Sequence, residues 1–143
     1  MNHGEDCFHL GVKALIHNPD GKLLLLRVNV ETFKHVKDSY WDIPGGRIQK
    51  NEPMEAALKR EVYEETGLVE FVNLSPPMMV LSNIRIPTET GDVGLILAAY
   101  RCKVTHNAII SLSKEHTDFG WFEPKEAAQL LAIKYPIEFT EKL

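Results

Sequence analysis

Residues 46–68 read GRIQKNEPMEAALKREVYEETGL, and this stretch holds the most informative pattern in the chain. Within it, MEAALKREVYEET at 54–66 consists mainly of good helix formers. Asn51 can cap a helix and Pro53 suits its first turn. Gly67 lies just past the end, where a left-handed residue is often needed. The sequence therefore predicts a helix bounded by these three residues.

Three glutamates fall on the side of this helix that should face the core. At about 100° per residue, Leu58 and Val62 mark the apolar side of the helix. Glu61, Glu64 and Glu65 lie within or beside the same arc. Because an ordinary amphipathic helix keeps its acidic residues on the opposite side, this arrangement needs a separate explanation.

A bound divalent cation would explain the acidic face. Carboxylates at i, i+3 and i+4 repel one another and are costly near a core, and a cation would supply the missing positive charge. Oxygen ligands favour a hard ion such as Mg2+ or Mn2+. The alternative is a solvated acidic face that pairs with Lys59 or Arg60. The spacing of the glycines, glutamates and Arg60 across residues 46–68, together with the preceding PGGR turn at 44–47, favours the metal site.

The spacing across residues 46–68 resembles the Nudix box, G-x5-E-x7-R-E-U-x-E-E-x-G-U, in which U is a bulky aliphatic residue. Every fixed position is filled, by Gly46, Glu52, Arg60, Glu61, Val62, Glu64, Glu65, Gly67 and Leu68. Resemblance to MutT-like Nudix hydrolases implies an α/β fold, the α/β/α sandwich. In that fold a mixed β-sheet carries the box helix on one face and a C-terminal helix on the other. We expect a single domain over residues 1–143.

The remaining sequence predicts elements in a matching order. Strands are predicted at 8–16, 23–26, 41–44, 68–74, 78–86, 93–104 and 119–122, with a second helix from Pro124 to about Ala132. The turn signal PTETGD at 87–92 predicts a hairpin between its flanking strands. Polar segments at 31–39 and 106–118 are expected to form loops. Strands interrupted by one central helix and followed by another favour a mixed sheet covered on both faces.

The resemblance also implies a reaction and a set of roles. The reaction is metal-dependent hydrolysis of a diphosphate linkage in a nucleoside diphosphate joined to another group, with Mg2+ as the cofactor or Mn2+ in its place. The implied metal ligands are Glu61, Glu64, Glu65 and the backbone carbonyl of Gly45 or Gly46. Arg60 would orient the carboxylates, and Glu52 would brace the loop against Arg60.

Other candidate residues are less firmly placed. Glu64 or Glu65 is the first candidate for the general base. Glu115 is the second, because EHTDFGWF at 115–122 resembles the acid-before-tryptophan stretch of MutT-like members. Arg27 either reaches a substrate phosphate or lies on the surface, and Arg47 could also meet a phosphate. His116 and Asp118 are interpreted as ordinary solvated residues of a loop. Trp41 and Trp121 are interpreted as core residues.

Substrate identity is approached by elimination. SNIRI at 82–86 lacks the proline of the ADP-ribose type, and the tyrosine of the dinucleoside polyphosphate type is missing too. SPPMM at 75–79 does not match the NADH type. Nucleoside triphosphates and nucleotide sugars remain. Two other classes stay open: a non-catalytic nucleotide-binding or regulatory module with a Nudix fold, and an acidic cation-binding protein without a substrate.

Composition sets limits on partners and location. The 143 residues are 44% hydrophobic and 25% charged, with a net charge of −4 that argues against a nucleic-acid polymer as partner. The N-terminus lacks a signal-peptide pattern and VGLILAAY is too short to cross a bilayer, so a cytoplasmic protein without membrane contact is expected. Cys7 and Cys102 are interpreted as reduced thiols. The strand 93–104 and the tail 134–143 could pack internally or at a homodimer contact.

Overall fold

The computed structural model describes residues 4–33, 37–106 and 108–143. Residues 34–36 and 107 of the predicted loops, and the first three residues of the chain, lie outside the described residues. The described strands are β1 (Phe8–His17), β2 (Leu23–Val28), β3 (Trp41–Asp42), β4 (Gly45–Arg47), β5 (Val72–Asn73), β6 (Met78–Leu81), β7 (Ile86–Thr88), β8 (Gly91–Lys103) and β9 (His116–Phe122). The described helices are α1 (Met54–Thr66), α2 (Pro124–Leu130) and α3 (Ile137–Thr140).

The sheet is mixed, and its centre is a long parallel pair. β1 pairs with β8 in parallel from Phe8 opposite Gly94 to His17 opposite Lys103. β2 runs antiparallel to β1, to β3 and to β9, and β4 runs antiparallel to β1. β5, β6 and β7 each pair antiparallel with β8. The β7–β8 pair confirms the predicted hairpin.

Helices cover both faces of this sheet, as expected from the α/β/α resemblance. Successive residues of the central strands point to opposite faces, so β1 and β2 supply apolar side chains to two separate cores. One core contains Ile16 and Leu24 and packs against Leu58 and Val62 of α1. The second core is formed with the C-terminal segment and contains Leu15, Leu23, Leu25, Ala127, Leu131, Tyr135 and Phe139. The predicted fold class is therefore confirmed.

Helix α1 ends as predicted but begins differently. Gly67 adopts a left-handed conformation with φ 76°, and its N–H donates to the Tyr63 carbonyl at 2.8 Å. At the other end Pro53 is the N-cap, and no side chain among the described residues caps the helix. The predicted Asn51 cap is wrong. Asn51 has φ 65° and lies within the turn that precedes the helix.

Several predicted strands have different bounds. The strand predicted at 68–74 is reduced to β5, and the one predicted at 78–86 is divided into β6 and β7. At the break, the Ser82 hydroxyl donates to the Lys134 carbonyl at 2.8 Å, so the chain there contacts the C-terminal segment. β9 starts earlier than predicted because His116 already pairs with Val28 of β2. α3 was not predicted.

The tail and β8 pack internally. Tyr135 and Phe139 are buried in the second core, and β8 lies between β1 and the shorter strands that pair with it. A homodimer contact stays a prediction. In the part of the chain that the structure describes, no helix is long and apolar enough to cross a membrane.

Candidate active site

A cavity of about 310 Å³ opens where β1, β4 and α1 meet the turn before β9. One side of it is polar and is lined by Gly45, Gly46, Arg47, Glu61, Glu65, Glu115 and His116. Lys13, Asp42 and Lys134 contribute a second polar patch, and the rest of the lining is mainly apolar. Residues far apart in the chain therefore converge on one polar-and-apolar cleft, which is the usual character of a small-molecule site.

The two glycines of β4 pack closely against neighbouring elements. The Gly45 N–H donates to Glu65 Oε1 at 2.7 Å, which joins β4 to α1. Gly45 has φ 145°, and a Cβ there would lie 2.0 Å from the Val12 carbonyl oxygen. A Cβ on Gly46 would lie 2.5 Å from the Glu61 carboxyl group. Glycine at position 46 therefore permits the close approach of β4 to α1, and glycine at position 45 permits its close packing against β1.

Arg60 holds the outer carboxylates together. Its Nε and Nη2 donate to the two oxygens of Glu52 at 2.6 and 2.9 Å, in a bidentate pair. Its Nη1 donates to Glu61 at 2.8 Å and to Glu64 at 3.3 Å. The Arg60 hydrogen bonds lower the pKa of Glu52 to about 2. Arg60 Nη2 also donates to the Arg47 carbonyl at 3.3 Å, so one guanidinium links α1 to β4.

Glu65 lies deeper than the other acids of the helix. Its side chain is 5% exposed, against 54% for Glu64. Burial raises the pKa of Glu65 to about 8, although Lys13 and the Gly45 N–H favour the ionised form. Burial also raises the pKa of Glu61, against the opposing effect of Arg60. Both carboxylates are therefore short of positive charge in the absence of a cation.

His116, the first residue of β9, faces Glu65. Its Nδ1 lies 4.0 Å from Glu65 Oε2, and burial, together with Lys13, lowers the pKa of His116 to about 4. Glu65, Glu115 and His116 each offer one ligand atom, and these atoms lie within 4.8 Å of one another. The site thus adds an imidazole nitrogen to the helix carboxylates.

A buried charged network forms the floor of the cavity. Asp42 accepts from Lys13 at 3.1 Å, from Lys134 at 2.6 Å and from the Tyr135 hydroxyl at 2.5 Å. Burial alone would raise the pKa of Asp42, but the two lysines hold it well below its ordinary value. Burial lowers the pKa of Lys134 to about 8 despite Asp42. For Lys13, burial is outweighed by the carboxylates of Asp42 and Glu65, which raise its pKa.

The arrangement fits a divalent cation on chemical grounds. Glu61 and Glu65 line one cavity and both have raised pKa values caused by burial, and His116 Nδ1 lies beside Glu65 with no hydrogen-bond partner. A cation there would replace the missing positive charge and give the nitrogen a partner. The Gly45 carbonyl, one of the two backbone ligands expected from the sequence, accepts a hydrogen bond from Lys13 Nζ at 3.5 Å.

Comparison with known proteins identifies the family. The family model described as the NUDIX domain matches residues 8–143. The chain belongs to the Nudix family. A nucleoside triphosphatase NudI of Escherichia fergusonii is 30% identical over 122 residues, covering 82% of this chain and 84% of that protein. A MutT-like protein of Streptomyces ambofaciens is 28% identical over 134 residues, covering 94% of this chain and 76% of that protein.

Solved structures agree with the Nudix fold. The crystal structure of the MutT protein from Methanosarcina mazei Go1 matches with a TM-score of 0.76 and 27% identity, covering 96% of this chain and 94% of that one. A C. elegans Ap4A hydrolase in a binary complex has a TM-score of 0.68 at 17% identity and covers 94% and 89% of the two chains, so it shows the fold alone. This chain is a Nudix hydrolase, with hydrolysis of pyrophosphate linkages as its general activity.

Six of the ten site residues proposed from the sequence line the cavity. Gly45, Gly46, Arg47, Glu61, Glu65 and Glu115 line it. Arg47 also hydrogen-bonds to His9. The remaining candidates differ. Glu52 and Arg60 adjoin the site through their ion pair. The Glu64 side chain is half-exposed, and Arg27 is exposed and hydrogen-bonds to Ser39. The catalytic, metal and substrate roles of these residues stay predictions.

Other residues near the site were not found from the Nudix box. The sequence presents His116 as one of six histidines without metal-ligand spacing, and no motif marks Lys13, Asp42 or Lys134. A lysine inside the apolar segment GVKALI was the available signal for Lys13, because a buried lysine needs a partner. Trp41 and Trp121 were assigned to the core, and both pack there: Trp41 against Phe122, with ring centroids 5.1 Å apart, and Trp121 against the first core.

Proposed function

We propose that this protein is a divalent-cation-dependent pyrophosphohydrolase that acts on nucleoside triphosphates. The observation that carries the proposal is that Glu61 and Glu65 of α1 line one cavity together with the two glycines of β4. Nucleoside triphosphates are preferred over nucleotide sugars because several relatives near 30% identity are named nucleoside triphosphatases. The cavity of about 310 Å³ suits a compact ligand.

Glu61 and Glu65 are the proposed principal ligands of the cation, with Glu64 at the rim. When bound, the cation supplies charge neutralisation at the phosphates and a lowered pKa for water. Arg60 fixes Glu61 and Glu64 through its Nη1, while its bidentate pair with Glu52 fixes Arg60 itself. Such pre-positioning matters because phosphoryl transfer depends mainly on placement and electrostatics.

Glu65 is a better candidate than Glu64 for handling the proton of the attacking water. Glu65 lines the cavity, whereas the Glu64 side chain is 54% exposed and bonded to Arg60. Glu115 also lines the cavity and is the second candidate. Arg47, at the cavity rim, is a candidate contact for a substrate phosphate because its guanidinium suits phosphate oxygens.

The decisive experiment is hydrolysis across a panel of nucleoside triphosphates, nucleotide sugars, ADP-ribose and dinucleoside polyphosphates, with Mg2+ or Mn2+. Products are identified by 31P NMR. We expect turnover of nucleoside triphosphates that a chelator abolishes. Glu65→Gln should lower kcat at least about 100-fold if the carboxylate acts on the proton or the cation. Glu70→Gln, which changes an exposed glutamate outside the cavity, is the matched control and should keep full turnover.

Two results would contradict the proposal. Full turnover in a folded Glu65→Gln variant would remove Glu65 from the chemistry. Absence of turnover across the panel, with nucleotide and cation still bound, would favour a non-catalytic nucleotide-binding module instead.

A further inference from the structure

One buried nitrogen in the cavity has no partner. Among the residues that the structure describes, His116 Nδ1 is the buried side-chain nitrogen or oxygen without a hydrogen bond. The side chain of His116 is 5% exposed, so bulk solvent does not satisfy the atom. An unsatisfied buried polar atom costs about 1–3 kcal/mol, so its retention calls for an occupant of the space in front of it.

The surroundings of the nitrogen define what that occupant is. Nδ1 faces Glu65 Oε2 across 4.0 Å, and Glu115 offers a third ligand atom within 4.8 Å. Metal–ligand bonds of about 2.0–2.2 Å allow one ion to bridge two atoms up to about 4.4 Å apart. At 4.0 Å, the nitrogen and the oxygen are too far apart to hydrogen-bond well, but they can share an ion.

We propose that His116 Nδ1, Glu65 and Glu115 form a mixed nitrogen–oxygen cation site that selects a divalent transition ion over Mg2+. The inference rests on the proposed function in one respect: it adds a nitrogen ligand to the cation site described there. Selectivity follows from ligand chemistry, because imidazole suits transition ions whereas Mg2+ prefers oxygen and retains its water.

Charge at the cavity permits such an ion. The lining contains four carboxylates, Asp42, Glu61, Glu65 and Glu115, against three cationic side chains, Lys13, Arg47 and Lys134. Lys13 and Lys134 are both bonded to Asp42, so their charges are partly compensated at the floor. The carboxylates nearest to His116 therefore remain available to the ion.

The test uses Mn2+ as the probe and does not need nucleotide turnover. Electron spin-echo modulation of bound Mn2+ detects a directly bonded nitrogen. We expect 14N modulation in the wild-type protein without nucleotide, changing to a 15N pattern when the histidines are 15N-labelled. His116→Gln should remove the modulation, and it should weaken Mn2+ binding about tenfold more than Mg2+ binding, both measured by calorimetry.

His106→Gln, the same substitution at an exposed histidine, is the matched control and should keep the signal. Absence of nitrogen modulation in wild-type protein loaded with Mn2+ would overturn the inference, and so would its persistence in a folded His116→Gln variant. The wild-type spectrum decides the question even if the variant does not fold. A nitrogen signal without hydrolysis would remove only the proposed function, and hydrolysis without the signal would remove only this inference.

Discussion

At the residue scale, the adjacent glycines of β4 make different demands on the chain. Gly46→Ala places a Cβ against the far end of the flexible Glu61 side chain, so Glu61 must move. Gly45→Ala places its Cβ 2.0 Å from the Val12 carbonyl oxygen, at φ 145°. We expect Gly46→Ala to cost under about 1 kcal/mol of stability but to weaken cation binding, and Gly45→Ala to cost roughly 3 kcal/mol or more.

Urea unfolding and cation titration of the two variants check this prediction, with each variant serving as the control for the other. Equal losses of stability would show that the loop moves as a unit. Unchanged cation binding in Gly46→Ala would mean that the position of Glu61 does not matter to the site.

The protonation of Glu65 predicts a pH dependence in metal-free protein. Its pKa is raised from 4.5 to about 8, so the folded protein retains a proton that the unfolded chain releases between these values. The stability from this group is complete below pH 4.5 and is lost as the pH rises through about 8. Relative to Glu65→Gln, the wild type should lose on the order of 3–4 kcal/mol between about pH 5 and pH 8.

Urea unfolding at several pH values, in the presence of a chelator, measures this difference. Excess divalent cation should reverse the slope, because the cation binds the ionised carboxylate. A difference that stays constant across the pH range would show that Glu65 is not perturbed by its burial.

At the element scale, Arg60 joins α1 to the loop before it. Arg60→Lys keeps the charge but loses the bidentate pair with Glu52 and the simultaneous bond to Glu61. We expect cation affinity to fall about 10–100-fold, as when a residue that orients metal ligands by hydrogen bonds is lost. Stability should change by only about 1 kcal/mol because the ion pairs are partly exposed.

Lys59→Arg, a basic exchange at the exposed neighbouring position, is the matched control, and calorimetric titration is the measurement. Equal cation affinity for wild type and Arg60→Lys would show that charge alone, rather than the fork of hydrogen bonds, positions the carboxylates.

Elements with a local signal were predictable, and contacts between distant elements were not. Helix α1 follows from its own composition and from Gly67, which has φ 76°. The break between β6 and β7 depends on a hydrogen bond from Ser82 to Lys134, 52 residues later, which no local pattern contains. His116 becomes a site residue for a similar reason: the pairing of β9 with β2 brings it beside Glu65.

At the scale of the whole molecule, the two thiols report on how the first core opens. Cys7 is exposed, whereas Cys102 is buried in β8, where burial raises its pKa to about 12. A thiol reagent should therefore modify one cysteine quickly in the folded protein and both in urea. Modification of Cys102 requires the first core to open, because the Cys102 side chain is buried there beside Leu58 and Val62 of α1.

The slow modification of Cys102 also reports on the site, because the core and the site share an element. The same core contains Leu58 and Val62 of α1, the helix that carries Glu61 and Glu65, so opening of this core should also disrupt these carboxylates. If closing is fast, a cation at about 100 times its Kd should slow Cys102 modification about 100-fold, a stabilisation of about 2.7 kcal/mol. The rate at Cys7 should not change and provides the internal control. A Cys102 rate that does not respond to the cation would mean that the core around Cys102 opens while the site remains assembled. The stability of that core would then be independent of the stability of the carboxylate site.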